Sequence, residues 1–157
     1  IFSYLSGVDT VLAFSNLNSR FYSLSNQYCY FFDFKSISKT KLDFILTQQR
    51  NKQFWKSLQL SNNEDETPGQ IEYFCQLYSL SNICPQLESL SLLNIEQIHN
   101  NEELLTQLLL SSSNLQSLTI EPICATVLSN INLSQLKRLV IHSCKNLGWM
   151  KVRSSLL

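Results

Sequence analysis

Few residues in this chain could do chemistry. Two histidines, His99 and His142, and five cysteines, Cys29, Cys75, Cys84, Cys124 and Cys144, are the candidate nucleophiles and metal ligands. A metal site needs several such ligands converging. The cysteines are scattered, no C-x-x-C occurs, and no local cluster joins them to a histidine. A thiol nucleophile needs a base within hydrogen-bond reach, and the nearest pair is Cys144 with His142. Positions two apart on a strand share a face, but Cys144 falls just past the strand expected there. Two acidic pairs could serve as general acid and base, Glu64 with Glu66 and Glu102 with Glu103. The first lies in the polar run 61–66, which reads as a surface loop. The second stands at an expected helix start, where carboxylates favour the helix dipole. The glycines at 7, 69 and 148 match neither G-x-G-x-x-G nor G-x-x-x-x-G-K, which excludes the Gly-rich phosphate loops of nucleotide enzymes. The residues thus define no catalytic constellation, no metal site and no cofactor site. The chain reads as a non-enzyme.

The elements that position these residues follow one recurring pattern. Trp55, Leu58, Leu60; Leu87, Leu90, Leu92; Leu115, Leu118, Ile120; and Leu136, Leu139, Ile141 each have the form L-x-x-L-x-L, with Trp or Ile in some slots. The sets start 32, 28 and 21 residues apart. This is the strand signature of a leucine-rich repeat, whose period is ~20–29 residues. The extra length of the first interval lies in the polar run 61–66. Within each set the last two apolar residues sit two apart, so on a strand both point to one side, which becomes the core. A single repeat cannot bury its apolar face alone, and stacked repeats share it. The pattern therefore predicts an α/β solenoid of parallel strands backed by helices. About four to five repeats are expected, with the C-terminal end open and a fifth repeat following Leu147.

The intervals between the sets read as helices. Thr67-Pro68-Gly69-Gln70 has the form of a helix start, with Thr67 as cap, Pro68 first and Gln70 completing a capping box. Ile71, Phe74, Cys75, Leu77 and Tyr78 then fall roughly on one face. Asn100 to Glu103 opens another helix, with Leu104, Leu105, Leu108 and Leu109 at helical spacing. An earlier helix runs near 41–49 with Leu42, Ile45 and Leu46 inward, and Tyr30 to Phe34 forms an irregular first strand. The span 124–130 holds one helical turn or none. Cys75, Cys144, Trp55 and Trp149 are read as packing residues.

The residues flanking the inward pairs face the other way. They are Ser57, Gln59 and Ser61; Ser89, Ser91 and Leu93; Ser117, Thr119 and Glu121; and Arg138, Val140 and His142. Stacked strands would join them into one concave surface, rich in hydroxyls and nearly uncharged until Glu121, Arg138 and His142. Solenoids commonly bind partners on that side. The residues read as target-binding are therefore Ser57, Gln59, Ser89, Ser91, Ser117, Thr119, Glu121, Arg138, Val140 and His142. The slot that often holds Asn or Cys falls on Asn63, Ile95, Ile123 and Cys144, so only two sets obey it.

Twelve basic and twelve acidic residues cancel, and 44% of the 157 residues are hydrophobic. There is no basic block, so nucleic acid and anionic membrane are poor partners. No apolar stretch reaches the ~18 residues of a membrane span. An odd number of dispersed cysteines suits a reducing compartment, cytoplasmic, nuclear or both.

The first residues read differently. Ile1 to Leu5 has the form of the end of an apolar helix, Ser6-Gly7-Val8 breaks it, and Asp9 is placed to cap the next. Val11, Leu12, Phe14, Leu17, Phe21 and Leu24 then recur at three- and four-residue steps, as in a compact helical hairpin or triplet. This segment resembles the F-box. Ile1-Phe2-Ser3-Tyr4-Leu5 is similar to the end of that motif's first helix, and 11–24 follows the rest without a gap. The family's Val-Cys-x-x-Trp stands here as Leu17, Asn18, Ser19, Arg20 and Phe21. The family's opening Leu-Pro is absent, so the chain reads as a fragment that begins inside the motif. The resemblance divides the chain into a partial F-box over 1–26 and a leucine-rich-repeat solenoid over 27–157.

That combination resembles the F-box and leucine-rich-repeat family. The resemblance implies a non-enzymatic substrate receptor of a cullin–RING ubiquitin ligase. In that family the F-box docks a Skp-type adaptor and the repeats hold the target protein. By that resemblance Leu5, Leu12, Leu17, Arg20 and Phe21 are the adaptor-binding residues. The identity of the target is not readable. The competing expectation is a leucine-rich-repeat interaction module unrelated to ubiquitin, with the front helices as a solenoid cap.

Overall fold

Each apolar triplet ends on a strand, and the strands lie side by side in chain order. The computed structural model describes residues 5–14, 16–48, 52–78, 84–95, 114–121, 136–141 and 150–152, the last three and Asn26 by backbone alone. Helices α1 (Gly7–Phe14) and α2 (Ser19–Tyr28) come first. Strand β1 (Phe31–Asp33), helix α3 (Lys39–Gln48), strand β2 (Ser57–Ser61) and helix α4 (Gln70–Leu77) follow. Strands β3 (Ser89–Leu93), β4 (Ser117–Glu121), β5 (Arg138–Ile141) and β6 (Met150–Val152) complete the order. The sheet order is β1-β2-β3-β4-β5-β6, with β1 to β5 parallel. The chain is an α/β protein built on a five-stranded parallel sheet.

The register aligns the triplets residue for residue. Leu58, Leu90, Leu118 and Leu139 pair across the strands, as do Leu60, Leu92, Ile120 and Ile141. Trp55, Leu87, Leu115 and Leu136, the first residue of each set, are buried, as are the paired residues of β2 to β4, while Leu139 and Ile141 of β5 are half-buried. A one-residue slip would turn every leucine to the other face, so burial fixes the pairing. The junctions before the strands repeat as well. The Tyr30 carbonyl accepts from the Lys56 and Ser57 amides, that of Lys56 from Glu88 and Ser89, that of Glu88 from Gln116 and Ser117, and that of Gln116 from Lys137 and Arg138.

One more set belongs to this series. Phe32 pairs with Leu58, the Phe34 amide donates to the Gln59 carbonyl, and Cys29, Phe32 and Phe34 are all buried. Cys29-x-x-Phe32-x-Phe34 thus has the same spacing, with Cys and Phe in the leucine slots. It starts 26 residues before Trp55.

Helix α3 buries Leu42, Ile45 and Leu46, the side expected from their spacing. Helix α4 packs on β2 and buries Ile71 and Phe74, while Cys75 is half-buried against the core's margin. Tyr73 of α4 donates to Asp43 Oδ1 of α3 at 2.6 Å, pinning the two helices together. Helix α1 buries Val8 and Val11 in the same core as Phe32 and Trp55. Helix α2 runs through position 26, and its Tyr22 hydroxyl donates to the Gln48 carbonyl at the end of α3.

Several local expectations are corrected. Ser6-Gly7-Val8 opens helix α1 at Gly7, earlier than a cap at Asp9 implies. The Ser6 hydroxyl accepts the Val8 amide at 3.1 Å and the Asp9 amide at 3.5 Å, so Ser6 is the cap and Asp9 lies in the first turn. Thr67 does not cap α4. That helix begins at Gln70 behind Gly69 in the left-handed region, at φ 65°, where a residue without Cβ costs least. Its first turn is satisfied from the sheet, because Asn62 Oδ1 accepts the Ile71 amide at 2.8 Å. Gln70 turns inward instead of closing a box, accepting from the Ser61 amide and donating to the Phe34 and Ile37 carbonyls.

The sheet also ends differently. Strand β6 pairs antiparallel to β5, so 150–152 does not continue the parallel series and lies along the edge expected to be open. Residues 142–149 are too few for a parallel crossover, which takes a dozen or more. The expected helices over 100–109 and 124–130, with His99, His142, Cys124, Cys144, Trp149 and residues 1–4, lie outside the described residues.

Candidate binding surfaces

Two surfaces remain once the core is assigned. The first is the outer side of the helical pair. Asn18 caps α2, its Oδ1 accepting the Arg20 and Phe21 amides at 3.0 and 3.1 Å, and this sets the turn between the helices. Leu5, Leu12 and Leu17 are 38%, 39% and 59% exposed, and Arg20 is exposed beside them in sequence. Phe21 differs. It is half-buried and stacks on Phe14, with ring centroids 5.6 Å apart, so it holds α2 against α1. Of the residues expected to meet an adaptor, four are turned to solvent and Phe21 also has an internal role.

The second surface is the sheet face opposite the leucines. Ser57, Ser89, Ser117 and Arg138 stand in one row across β2 to β5, and Gln59, Ser91, Thr119 and Val140 in the next. All are half-buried except Arg138, which is exposed. Strand β1 extends both rows with Phe31 and Asp33, paired to Ser57 and Gln59. Neither was expected there. The alternation of Phe32 and Phe34 with their neighbours is the signal that finds them. A third row holds Leu93 and Glu121, both half-buried. Ser61, expected outward beside them, is buried, and its hydroxyl accepts from Asn94 Nδ2 at 3.0 Å. Ser61 pairs in register with Leu93 but is covered, so it offers no exposed surface in that row.

The electrostatics of this face are mild. At its N-terminal rim Lys56 pairs with Glu88 at 3.3 Å, both about half exposed, and the Lys56 ammonium sits 5.9 Å from the centre of the Tyr30 ring. An exposed pair of this kind contributes little to stability. Glu64, Asp65 and Glu66 lie in an exposed turn.

The three described cysteines have their thiols held protonated by burial. Burial pushes the Cys75 and Cys84 thiols up to about 12, and burial also raises Cys29. A thiol so raised holds almost no thiolate near neutrality. Among the described residues no group of three or more His, Cys, Asp or Glu could hold a metal ion. No helix among them is long and apolar enough to cross a membrane.

No protein-family model matches the chain, and comparisons with curated proteins and with solved structures found no match either. The arrangement itself is what bears on function. The outward strand rows are mostly polar, with charges at Asp33, Glu121 and Arg138, and the helical pair leaves Leu12 and Leu17 exposed.

Proposed function

We propose that this chain is a non-enzymatic substrate receptor of a cullin–RING ubiquitin ligase. The helical pair acts as an F-box that docks a Skp-type adaptor. The sheet is the strand layer of a leucine-rich-repeat solenoid that holds a target protein. The resemblance of Leu5 and 11–24 to the F-box supports the first half. The residue-for-residue register of the triplets from Phe32 to Leu139 supports the second. The observation that carries the reading is the two-sidedness of α1 and its neighbouring turn. Val8 and Val11 are buried in the core, while Leu12 and Leu17 lie outside it and are exposed.

The receptor does no bond chemistry. It holds a target lysine near a charged ubiquitin-carrying enzyme, which raises the effective concentration of one at the other. The reading places the protein in the cytoplasm, the nucleus or both. The test is titration of a purified Skp-type adaptor onto the protein. The expected result is saturable binding that the double variant Leu12→Asp, Leu17→Asp weakens at least tenfold with no change in melting temperature. Both side chains lie outside the core, so folding is a control. No adaptor binding by the unaltered protein rejects the reading.

A second reading is favoured by one specific contact. Gly7 of α1 lies against the Phe32 ring and the Phe31 carbonyl, so α1 covers the first strand as a solenoid cap would. In that reading the chain is an interaction module without a ubiquitin link. The adaptor titration separates the two, because a cap alone binds no adaptor.

A further inference from the structure

We infer that the sheet face takes an extended acidic peptide laid across the strands, its carboxylate on Arg138 and an apolar side chain on Phe31. The inference rests on the receptor reading and names the chemistry of what the face would hold. The row in question is Phe31, Ser57, Ser89, Ser117 and Arg138, five residues in register on five adjacent strands. It is asymmetric. Phe31 is 44% exposed at one end, three serines supply donors and acceptors in the middle, and an exposed guanidinium closes the other end.

The charge at that end is uncompensated among the described residues. Their one ion pair, Lys56 with Glu88, leaves Arg138 without a carboxylate. Glu121 is on the neighbouring strand but four residues beyond Ser117, the residue that Arg138 pairs with, which is about 13 Å along the strand. Lys137 is exposed beside Arg138 and adds to the positive corner. A guanidinium binds a carboxylate through two parallel hydrogen bonds, so an acidic side chain is the complement of this corner. The four strand spacings between Phe31 and Arg138 span about 19 Å. An extended chain covers that in about six residue steps. The occupant is therefore a segment of roughly seven residues, apolar at one end and acidic at the other, lying across the strands.

The experiment uses the whole chain and a fluorescein-labelled seven-residue peptide. The peptide has leucine at one end, glutamate at the other, and serine and glutamine between. Companion peptides carry glutamine or lysine in place of the glutamate. Anisotropy titration is expected to show the glutamate peptide binding at least tenfold more tightly than either companion. Arg138→Gln should erase that preference, while Phe31→Ala should weaken the glutamate and glutamine peptides equally. Circular dichroism of each variant reports folding. Equal binding of acidic and amide peptides, no binding of any peptide, or a preference that survives Arg138→Gln overturns the inference. Adaptor titration is independent of this face. If the adaptor binds and the peptides do not, the inference falls and the receptor reading stands. If the adaptor does not bind, the receptor reading falls whatever the peptides do.

Discussion

The Trp55 indole stacks on the Phe32 ring, with centroids 4.0 Å apart and planes 21° from parallel. This pair joins two successive strands, since Phe32 lies in β1 and Trp55 opens the set that ends in β2. Phe34 extends the cluster, 5.9 Å from the same indole. All three are fully buried, and no described residue accepts the Trp55 Nε1 proton. Two substitutions therefore separate its ring from its N–H. Trp55→Ala should cost about 3–5 kcal/mol, the usual loss for a buried aromatic, and in a domain of ordinary stability that removes much of the folded population. Trp55→Phe keeps a stacking ring and removes an unpaired buried donor, so it should cost no more than about 1.5 kcal/mol. Urea unfolding followed by far-UV circular dichroism measures both. Equal losses would show that the indole N–H has a partner.

Gly7 makes the opposite point, that a missing side chain can be required. A Cβ there would lie 2.6 Å from Phe32 Cζ and 2.8 Å from the Phe31 carbonyl oxygen. Phe32 cannot yield, because it is packed between Phe34 and Trp55, and the carbonyl is backbone. Gly→Ala in a helix ordinarily stabilises by up to about 1 kcal/mol. Here the sign reverses, and Gly7→Ala should destabilise by about 1–3 kcal/mol through overpacking. The measurement is the shift in urea midpoint at unchanged slope. A neutral or stabilising effect would mean that α1 does not sit on β1 as described.

The two adjacent asparagines give a third comparison. Counting from Leu58 and Leu60 selects Asn63 as the amide slot of the repeat, yet Asn62 is the buried one. Asn62 accepts the Ile71 amide and donates to Glu72 Oε2 at 2.6 Å, both on α4. Asn63 Oδ1 only accepts the Asp65 amide in an exposed turn. Asn62→Ala leaves a buried N–H unpaired and should cost about 1–3 kcal/mol. Asn63→Ala should cost roughly 0.5–1 kcal/mol. The ratio of the two losses in chemical denaturation is the readout, and it inverts if Asn63 is the structural amide.

These particulars mark where the sequence was readable. The alternation of Leu58 with Leu60 and of Leu90 with Leu92 carried enough periodicity to fix the strands and their inward face. The spacing of Leu42, Ile45 and Leu46 did the same for α3. Cys29, Phe32 and Phe34 were harder, because Cys and Phe fill slots that the pattern defines by leucine. Phe31 and Asp33, on the outward sheet face, were missed with them. Asn62, one position before the expected slot, is set by the tertiary approach of α4, which no local rule contains. The start of α1 at Gly7 has no local signal, because the Phe32 ring that the glycine accommodates is distant in sequence. The antiparallel strand β6 has no counterpart in the sequence reading, because Met150-Lys151-Val152 lacks the leucine triplet that marks the other strands.

The cysteines supply the last prediction, and it bears on whether this chain does chemistry. Burial raises Cys75 and Cys84 from an ordinary 9.0 to about 12 and raises Cys29 as well. Glu72 adds to the rise at Cys75, and Lys52 partly opposes it at Cys84. Iodoacetamide reacts with the thiolate, so at pH 7.5 these three should label slowly in the folded protein and quickly in urea. Peptide mapping of the alkylated sites checks this. A rapidly labelled Cys75, Cys84 or Cys29 in the folded state would reopen a nucleophilic role. The same shifts set a pH dependence. Between 9 and 12 the unfolded chain has lost its thiol protons while the folded chain keeps them, so the unfolded state binds fewer protons and stability falls as pH rises. The stability that the buried thiols confer is whole below about pH 9 and is lost on the way to 12. Replacing Cys75 and Cys84 together by alanine should flatten that part of the curve, at the expense of two small cavities.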